Sequence, residues 1–272
     1  MTNQRMLYIE IFQPSAQYRN PFTFYYAQSY PLPPKSTIIG MLQNAVDDWY
    51  GNRYGINRWW DDLKISVHGG FESFFWNYQQ LIKGYPEIAK INNNIVLWDF
   101  EKKAPLYGDG KKAQRTPVYQ QELFNGHLFI FLRGDNELID KIKKSLEKPK
   151  KVLSLGRSED IAYIRRGEYV SGKLRDVEGD IRLTYPTYIK RKSQKRDFPI
   201  KNQKYPVYSI PARLVFKNDG KPVKHKAEIT KHTERDVKFE TVIYTGTDYS
   251  IILKEKERID AVSYTHLTLP TN

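Results

Sequence analysis

The sequence predicts an α+β fold in which two helices lie against one face of an antiparallel sheet, and three observations carry that prediction. Apolar residues alternate at period two near the N-terminus, recur at helical spacing in two well-separated stretches, and return to period two after each of them. The 272 residues are enough for one good core with an accessory layer. A hydrophobic content of 40% and an aromatic content of 14% exclude wholesale disorder.

Leu7, Ile9 and Ile11 alternate with Tyr8, Glu10 and Phe12 as a first strand. Tyr30-Pro-Leu-Pro-Pro34 then holds the chain extended up to a helix whose start is expected at Ser36 or Thr37, where a hydroxyl can cap the free N–H groups. Ile38, Ile39, Met41, Leu42, Ala45, Val46 and Trp49 form its apolar stripe, and Gly51 is the expected stop. Leu63, Ile65 and Val67 make a second strand; Leu128, Ile130 and Leu132 make a third, beginning near His127. Between them residues 70–121 form an insertion rich in aromatics and turn residues. Gly134 and Asp135 open a second helix with Leu138, Ile139, Ile142 and Leu146 on one side and Lys141, Lys143 and Lys144 between them. Pro149 ends it, and Val152 to Leu155 supply the fourth strand.

The order β-α-β-β-α-β is the ferredoxin-like, RRM-like arrangement. Its core is expected over about residues 6–160, within a first domain of residues 1–175 that carries the insertion. Residues 176–261 read as a basic, β-rich C-terminal region, with Val207 to Phe216 and Phe239 to Tyr244 its clearest strands. Residues 262–272 read as one frame of a transposon-based sequencing adapter, so the expectation is that the native C-terminus is missing and that His266 carries no function. No internal repeats are found.

Charge points to a polyanionic partner. The net charge is +13, and residues 190–231 hold thirteen lysines and arginines against three acids, so most of the excess sits in one strip. The alternative is a solvated basic face that only aids solubility. No stretch approaches the roughly 20 apolar residues needed to cross a bilayer, and Thr2 to Arg5 behind the first methionine are polar. With no cysteine there are no disulfides and no thiolate metal sites, and a cytoplasmic location is expected.

Signals for catalysis are thin. There is no Gly-rich phosphate loop with Lys-Ser/Thr, no Gly-x-Ser-x-Gly elbow and no His-Glu-x-x-His helix, and the scattered acids argue against a two-metal nuclease. No cofactor is implied. Outside the tail the histidines are His68, His127, His225 and His232. Lys224-His225-Lys226 has the chemistry of a metal-independent ribonuclease, in which imidazole and lysine act as acid, base and charge stabiliser; an exposed basic loop is the alternative. His127, at a strand start, reads as structural.

Three segments stand out around the core. Gln13-Pro-Ser-Ala-Gln-Tyr-Arg19 follows the first strand. Tyr30-Pro-Leu-Pro-Pro-Lys-Ser-Thr-Ile-Ile-Gly40 presents helix N–H groups beside Lys35, a seat for an anion unless Ser36 or Thr37 merely caps the helix. In Val152-Leu-Ser-Leu-Gly-Arg-Ser-Glu-Asp160, Gly156 allows a sugar-phosphate chain to approach the backbone while Arg157 reaches a phosphate; a plain turn with a surface arginine is the alternative.

Together these segments resemble the Cas-five family, the RAMP-type subunit of type I CRISPR Cascade complexes, and are most similar to its type I-B members. The resemblance rests on Ala16-Gln17-Tyr18-Arg19-Asn20-Pro21, Pro33-Pro-Lys-Ser-Thr-Ile-Ile-Gly40 and Leu155-Gly-Arg-Ser-Glu-Asp160 in the family's order, and covers most of residues 6–175. It implies a non-catalytic subunit that holds the 5′ handle of the CRISPR RNA, contacts a Cas-seven-type backbone subunit and a large, Cas-eight-type subunit, and meets target DNA through the complex. It also implies that the insertion is a β-hairpin thumb, whose Lys102, Lys103, Lys111, Lys112, Arg115 and Tyr119 suit a nucleic-acid backbone. The RNA-binding candidates are Arg19, Lys35, Ser36, Thr37, Lys111, Lys112, Arg115, Gly156 and Arg157. A branch of the family in type I-C systems cuts precursor RNA, but its catalytic residues find no match here, so a metal-independent endoribonuclease is the second reading.

A stand-alone RRM-like protein is a third reading, opposed by the lack of the Arg/Lys-Gly-aromatic signature around Leu128 to Arg133, although Phe129 and Phe131 alternate there. Finally, 20 tyrosines, 13 phenylalanines and 5 tryptophans exceed what a small core buries, and Trp59, Trp60, Phe74, Phe75 and Trp76 crowd the start of the insertion. An exposed docking patch is expected there.

Overall fold

The computed structural model describes residues 4–23, 25–83, 89–91, 94–96, 98–99, 104–105, 114–172, 175–177, 179–191, 198–201, 204–216, 235–246, 250–254 and 257–259. Strand β1 (Gln4–Ala16) leads through the two-residue β2 (Tyr26–Ala27) to helix α1 (Lys35–Val46) and then to β3 (Lys64–Lys83). Four short strands follow, β4 (Ala89–Ile91), β5 (Asn94–Val96), β6 (Trp98–Asp99) and β7 (Ala104–Pro105), before the long β8 (Gln114–Arg133). Helix α2 (Asn136–Glu147) and β9 (Tyr163–Gly172) close the core.

The sheet runs β3-β8-β1-β9, every neighbour antiparallel, and α1 packs on α2 over one face. This is the ferredoxin-like order read from the sequence. Leu7, Ile9 and Ile11 of β1, Leu128, Ile130 and Leu132 of β8, and Ile65 and Val67 of β3 bury into one cluster with Ile38, Leu42 and Val46 of α1 and Leu138 and Ile142 of α2. The period-two and helical stripes therefore meet face to face, which is the stabilising consequence of removing both from water.

Three boundaries differ from the sequence reading. The fourth strand is β9, not Val152 to Leu155, which makes only an isolated bridge between Ser154 and Ile161. In β9 the alternation is broken by Arg165-Arg166-Gly167 and by a bulge opposite Glu10 and Ile11, so its period was hidden. Helix α1 stops at Val46, with Asp47 left-handed at its end, rather than running through Trp49 to Gly51. Buried Asp48 draws the chain out of the helix by accepting from the N–H groups of Arg53 (2.7 Å) and Tyr54 (3.2 Å) and from Trp59 Nε1 (2.7 Å), leaving Trp49 70% exposed. At the other end Pro34 is the cap and no side chain caps the helix. The second helix begins as expected, Asp135 accepting from the N–H of Leu138.

Strands β3 and β8 keep one register from Lys64 and Arg133 to Lys83 and Gln114, skipping only Glu72 opposite Asn125, so much of the insertion is a two-stranded ribbon that runs on past the sheet. After β9 come β10 (Arg175–Val177), β11 (Asp180–Arg182), β12 (Tyr188–Lys190), β13 (Val207–Phe216), β14 (Arg235–Tyr244), β15 (Ser250–Ile252) and β16 (Glu257–Ile259). β12, β14 and β13 form a small sheet between two cores. Tyr188, Ile210 and Val242 join the main cluster, while Ile189 and Ile243 pack with Ile181, Phe198, Ile200, Ile251 and Leu253 in a second.

This region docks on the proline-rich passage. Tyr188 Oη donates to the Leu32 carbonyl (2.8 Å) and accepts from its N–H, Tyr30 Oη donates to the Ser209 carbonyl (2.6 Å), and Ser36 Oγ donates to the Pro211 carbonyl (2.8 Å). The segment before β12 lies on the edge of β3, where Thr187 Oγ1 donates to the Val67 carbonyl. Among the described residues no helix is long and apolar enough to cross a membrane.

Candidate nucleic-acid interface

Among the described residues, the root of the ribbon carries an exposed run of aromatics tied together by ring contacts. β8 continues beyond the end of β1, and β2 takes the vacated edge in parallel register, placing Tyr26 beside Tyr119. Because directly opposed residues share a face, Tyr26, Tyr119 and Tyr78 line up, with Trp76 two residues along from Tyr78. Tyr26 stacks on Tyr119 with centroids 5.6 Å apart and planes 12° from parallel, and meets Trp76 edge-on; Tyr78 is tilted on Tyr119 at 5.3 Å. All four rings are exposed. Such a run offers flat π surfaces on which bases stack without regard to sequence. No composition or spacing rule would have joined Tyr26 to the ribbon; only the parallel pairing of β2 does.

The expected aromatic patch over residues 59–76 divides. Trp59 and Trp60 are core residues, Trp59 held through its indole N–H by Asp48, whereas Phe74, Phe75 and Trp76 are exposed on the ribbon.

The sequence candidates occupy different settings. Arg19 is exposed, opposite Ser29 in the stretch that leads away from Tyr26. Lys35 Nζ donates to the Trp60 carbonyl at 3.0 Å, and burial lowers its pKa, so its charge is turned inward. Ser36 is engaged with Pro211, and Thr37 is half-buried in the first turn of α1. The helix entry is thus a docking strip for the C-terminal region rather than the open anion seat read from the sequence. Arg115 stands opposite Ile82 in the ribbon. Lys102, Lys103, Lys111 and Lys112 lie outside the described residues, as do His225, His232, His266 and the suspected adapter tail.

The glycine turn also points inward. Gly156 has φ +119°, and a Cβ there would lie 2.7 Å from Asp160 Oδ2 and 2.9 Å from the Gln17 carbonyl. The close backbone approach that this glycine permits is to the chain itself, not to a sugar-phosphate. Asp160, completely buried, accepts from the N–H groups of Gln17 (3.0 Å) and Arg157 (2.8 Å) and from the Arg157 guanidinium. Arg157 also reaches Glu122 at 3.2 Å, and Glu122 accepts from Asn77 at 2.9 Å. Gln13 donates to the carbonyls of Leu155 and Asp160 and accepts from Tyr18 Oη; Gln17 donates to the carbonyls of Ala27 and Gln121. The segment after β1, the glycine turn and the ribbon root are therefore one polar network, with the aromatic surface built on it. The sequence gathered its members as separate motifs and missed Glu122 and Asn77.

The basic strip is partly balanced where it is described. Lys190 pairs with Glu240 and Arg213 with Asp61, while Arg191, Lys201 and Lys204 are exposed. As for catalysis, His68 is buried and hydrogen-bonded with Ser66 Oγ (2.9 Å), and His127 lies on Phe12 across the sheet face not covered by the helices. Among the described residues no group of acids and histidines is placed to hold a metal.

The model of the family described as CRISPR-associated protein (Cas_Cas5) matches residues 6–178. A solved chain described as a CRISPR RNA-guided surveillance complex is similar at TM-score 0.50 and 15% identity, over 91% of this chain and 90% of that one. A crystal structure of a Cas protein gives 0.39 at 16% identity over 95% and 98% of the two chains. A CRISPR protein from Archaeoglobus fulgidus gives 0.37 at 12% identity over 94% and 100%. No curated protein sequence matches. At 15% identity the likeness to the surveillance-complex chain is one of fold.

Proposed function

Since the chain belongs to the CRISPR-associated Cas5 family, we propose that it is a non-catalytic subunit of a type I surveillance complex and holds the 5′ handle of the guide RNA. The exposed stack of Tyr26, Tyr119, Tyr78 and Trp76 at the ribbon root carries this reading. It offers bases a stacking platform, while Arg19 opposite Ser29, Arg115 on the ribbon and Lys111 and Lys112 of the insertion serve the phosphates. Gly156 and Arg157 act by position, holding the ribbon root through Asp160 and Glu122. Ser36 acts at one remove as well, by seating the C-terminal region and with it the basic strip through the Pro211 carbonyl, while Lys35 ties the start of α1 to the Trp60 carbonyl. The 1–175 and 176–261 parts work as one unit in this scheme, and the partners are the guide RNA, a backbone subunit and a large subunit, with target DNA reached through the complex.

In support of non-catalytic binding, His68 is buried against Ser66; His127 is exposed and lies on the Phe12 ring. The test is incubation of the purified protein with end-labelled repeat RNA in EDTA, read on native and denaturing gels. A shifted but intact RNA is expected. Discrete cleavage, lost on replacing His225 by alanine, would establish the endoribonuclease instead.

A further inference from the structure

A groove of about 300 Å³ lies between the last turn of α1 and the C-terminal half of α2, lined by Arg53, Lys141, Lys144, Lys148, Lys150 and Lys151 with a single acid, Asp47. Asp47 is shared by Lys151 and Arg53. The acids of α2 are committed to cations elsewhere, Glu137 to Arg58, Asp140 to Arg5 and Glu147 to Lys143. Lys141, Lys144, Lys148 and Lys150 are exposed and enter no salt bridge among the described residues. The helix ends do not account for so much positive charge. Each carries roughly half a negative charge, so that together with Asp47 they offset about two of the six cations.

Lys150 and Lys151 also line a second, open groove of about 570 Å³, in which Leu146, Pro149, Val152 and Tyr163 take part. Val152 is 73% exposed, the highest value for a large apolar side chain among the described residues, and Tyr163 is 49% exposed. The loop that presents them is fixed. The carbonyl of buried Leu153 accepts from the N–H of Ala162 at 2.9 Å, and Lys151 Nζ donates to Asp47 at 2.7 Å. Cations and exposed apolar side chains are thus held next to one another in one strip.

We propose that the joined grooves dock an acidic segment of a partner polypeptide that also carries apolar side chains. Its carboxylates pair with Lys141, Lys144, Lys148 and Lys150, and its apolar side chains cover Val152 and Tyr163. Both halves of the strip are needed to select this occupant. Unpaired cations call for anions, which a nucleic acid would also supply. The adjoining apolar surface gains only from apolar cover, which a run of phosphates does not bring. A second copy of this chain, at net charge +13, brings like charge to the strip. Neither groove is lined by any of the RNA-binding candidates, so the inference stands whether or not the ribbon root holds RNA.

The test is fluorescence anisotropy at low salt with the full chain and three labelled probes: the peptide acetyl-Asp-Glu-Leu-Glu-Asp-Leu-Glu-amide, the same peptide with both leucines replaced by serine, and oligouridylate. The leucine peptide is expected to bind saturably, and the serine peptide about threefold or more weaker. Lys148→Ser combined with Lys150→Ser should weaken the leucine peptide about fivefold or more, the sum of two exposed charge contacts. Val152→Ser should weaken the leucine peptide but not the serine peptide. All three side chains are exposed, so thermal midpoints should stay in place and loss of binding will not be loss of fold. Oligouridylate affinity should be unchanged by the lysine pair; the peptide arms are decisive even if that probe does not bind. Failure of the leucine peptide to bind, equal binding of the two peptides, or affinity unmoved by the lysine pair would each overturn the proposal. A fall in oligouridylate affinity as large as the peptide's would give the strip to nucleic-acid phosphates and overturn it as well.

Discussion

Asp160 and Arg157 are locked together at the turn between α2 and β9: the buried carboxylate accepts from guanidinium Nη2 at 2.8 Å and Nε at 3.1 Å. The same guanidinium reaches across to Glu122 on β8, so one ion-paired turn fixes where the ribbon leaves the sheet. Removing one member of such a buried group strands the other without water. Asp160→Ala is therefore expected to lower unfolding free energy by about 3 kcal/mol, and Arg157→Ala by a comparable amount. Gly156→Ala adds left-handed strain to a clash with the Gln17 carbonyl and is expected to lose at least about 2 kcal/mol. Urea midpoints measure all three; unchanged midpoints would show that the turn is only a surface feature.

The aromatic run makes a separate prediction. Tyr119→Ala and Trp76→Ala should each weaken binding of single-stranded handle RNA by about 1–3 kcal/mol, the range for loss of one stacked base. Both side chains are exposed, so thermal midpoints should hardly move. Equal affinity in both variants would mean that the RNA follows another path.

Phosphate contacts are read from salt. If about 4 to 6 phosphates are engaged, log affinity against log salt should slope at about −3 to −4 for single-stranded RNA. A flat dependence would reduce the basic strip of residues 190–231 to a solubility feature.

Alkaline pH should unfold the protein through its buried tyrosines. Tyr18 and Tyr188 are completely enclosed, and burial pushes their pKa well above the ordinary 10.0; Tyr30 is pushed to about 12, also by burial. Above pH 10 the unfolded chain releases phenolic protons that the native state retains. Stability contributed by these groups is thus complete below pH 10 and lost as pH rises through their native values. Tyrosinate absorbance at high pH should rise together with loss of circular dichroism, and Tyr188→Phe should make the loss less steep. Full titration near pH 10 with the native spectrum intact would contradict this.

Much of the core was legible in the sequence because its stripes are clean. Leu7-Ile9-Ile11, Leu128-Ile130-Leu132 and Ile38-Leu42-Val46 each sit on a regular period, and period determines the buried face. β9 was misplaced because a bulge and two arginines break its alternation. The end of α1 was overrun because the device that ends it is the long-range grip of Asp48 on Trp59 Nε1. The site was legible only as fragments. Gly156 and Arg157 were singled out with roles toward RNA, while Gln17 and Asp160 stood only as members of the quoted segments, since nothing in local sequence shows that a carboxylate three residues away will claim an arginine. Glu122, Asn77 and the Tyr26–Tyr119 stack depend on strand pairing, which no single segment announces.

The central claim, that this chain works as a guide-RNA-holding subunit of a larger complex, is tested most directly by co-expressing it with a backbone subunit, a large subunit and guide RNA, then resolving the products by size-exclusion chromatography. The account predicts that the chain elutes within a stable complex containing intact guide RNA, and that Tyr119→Ala combined with Trp76→Ala depletes it from that peak. A monomer that fails to associate with those subunits even with guide RNA present would contradict it.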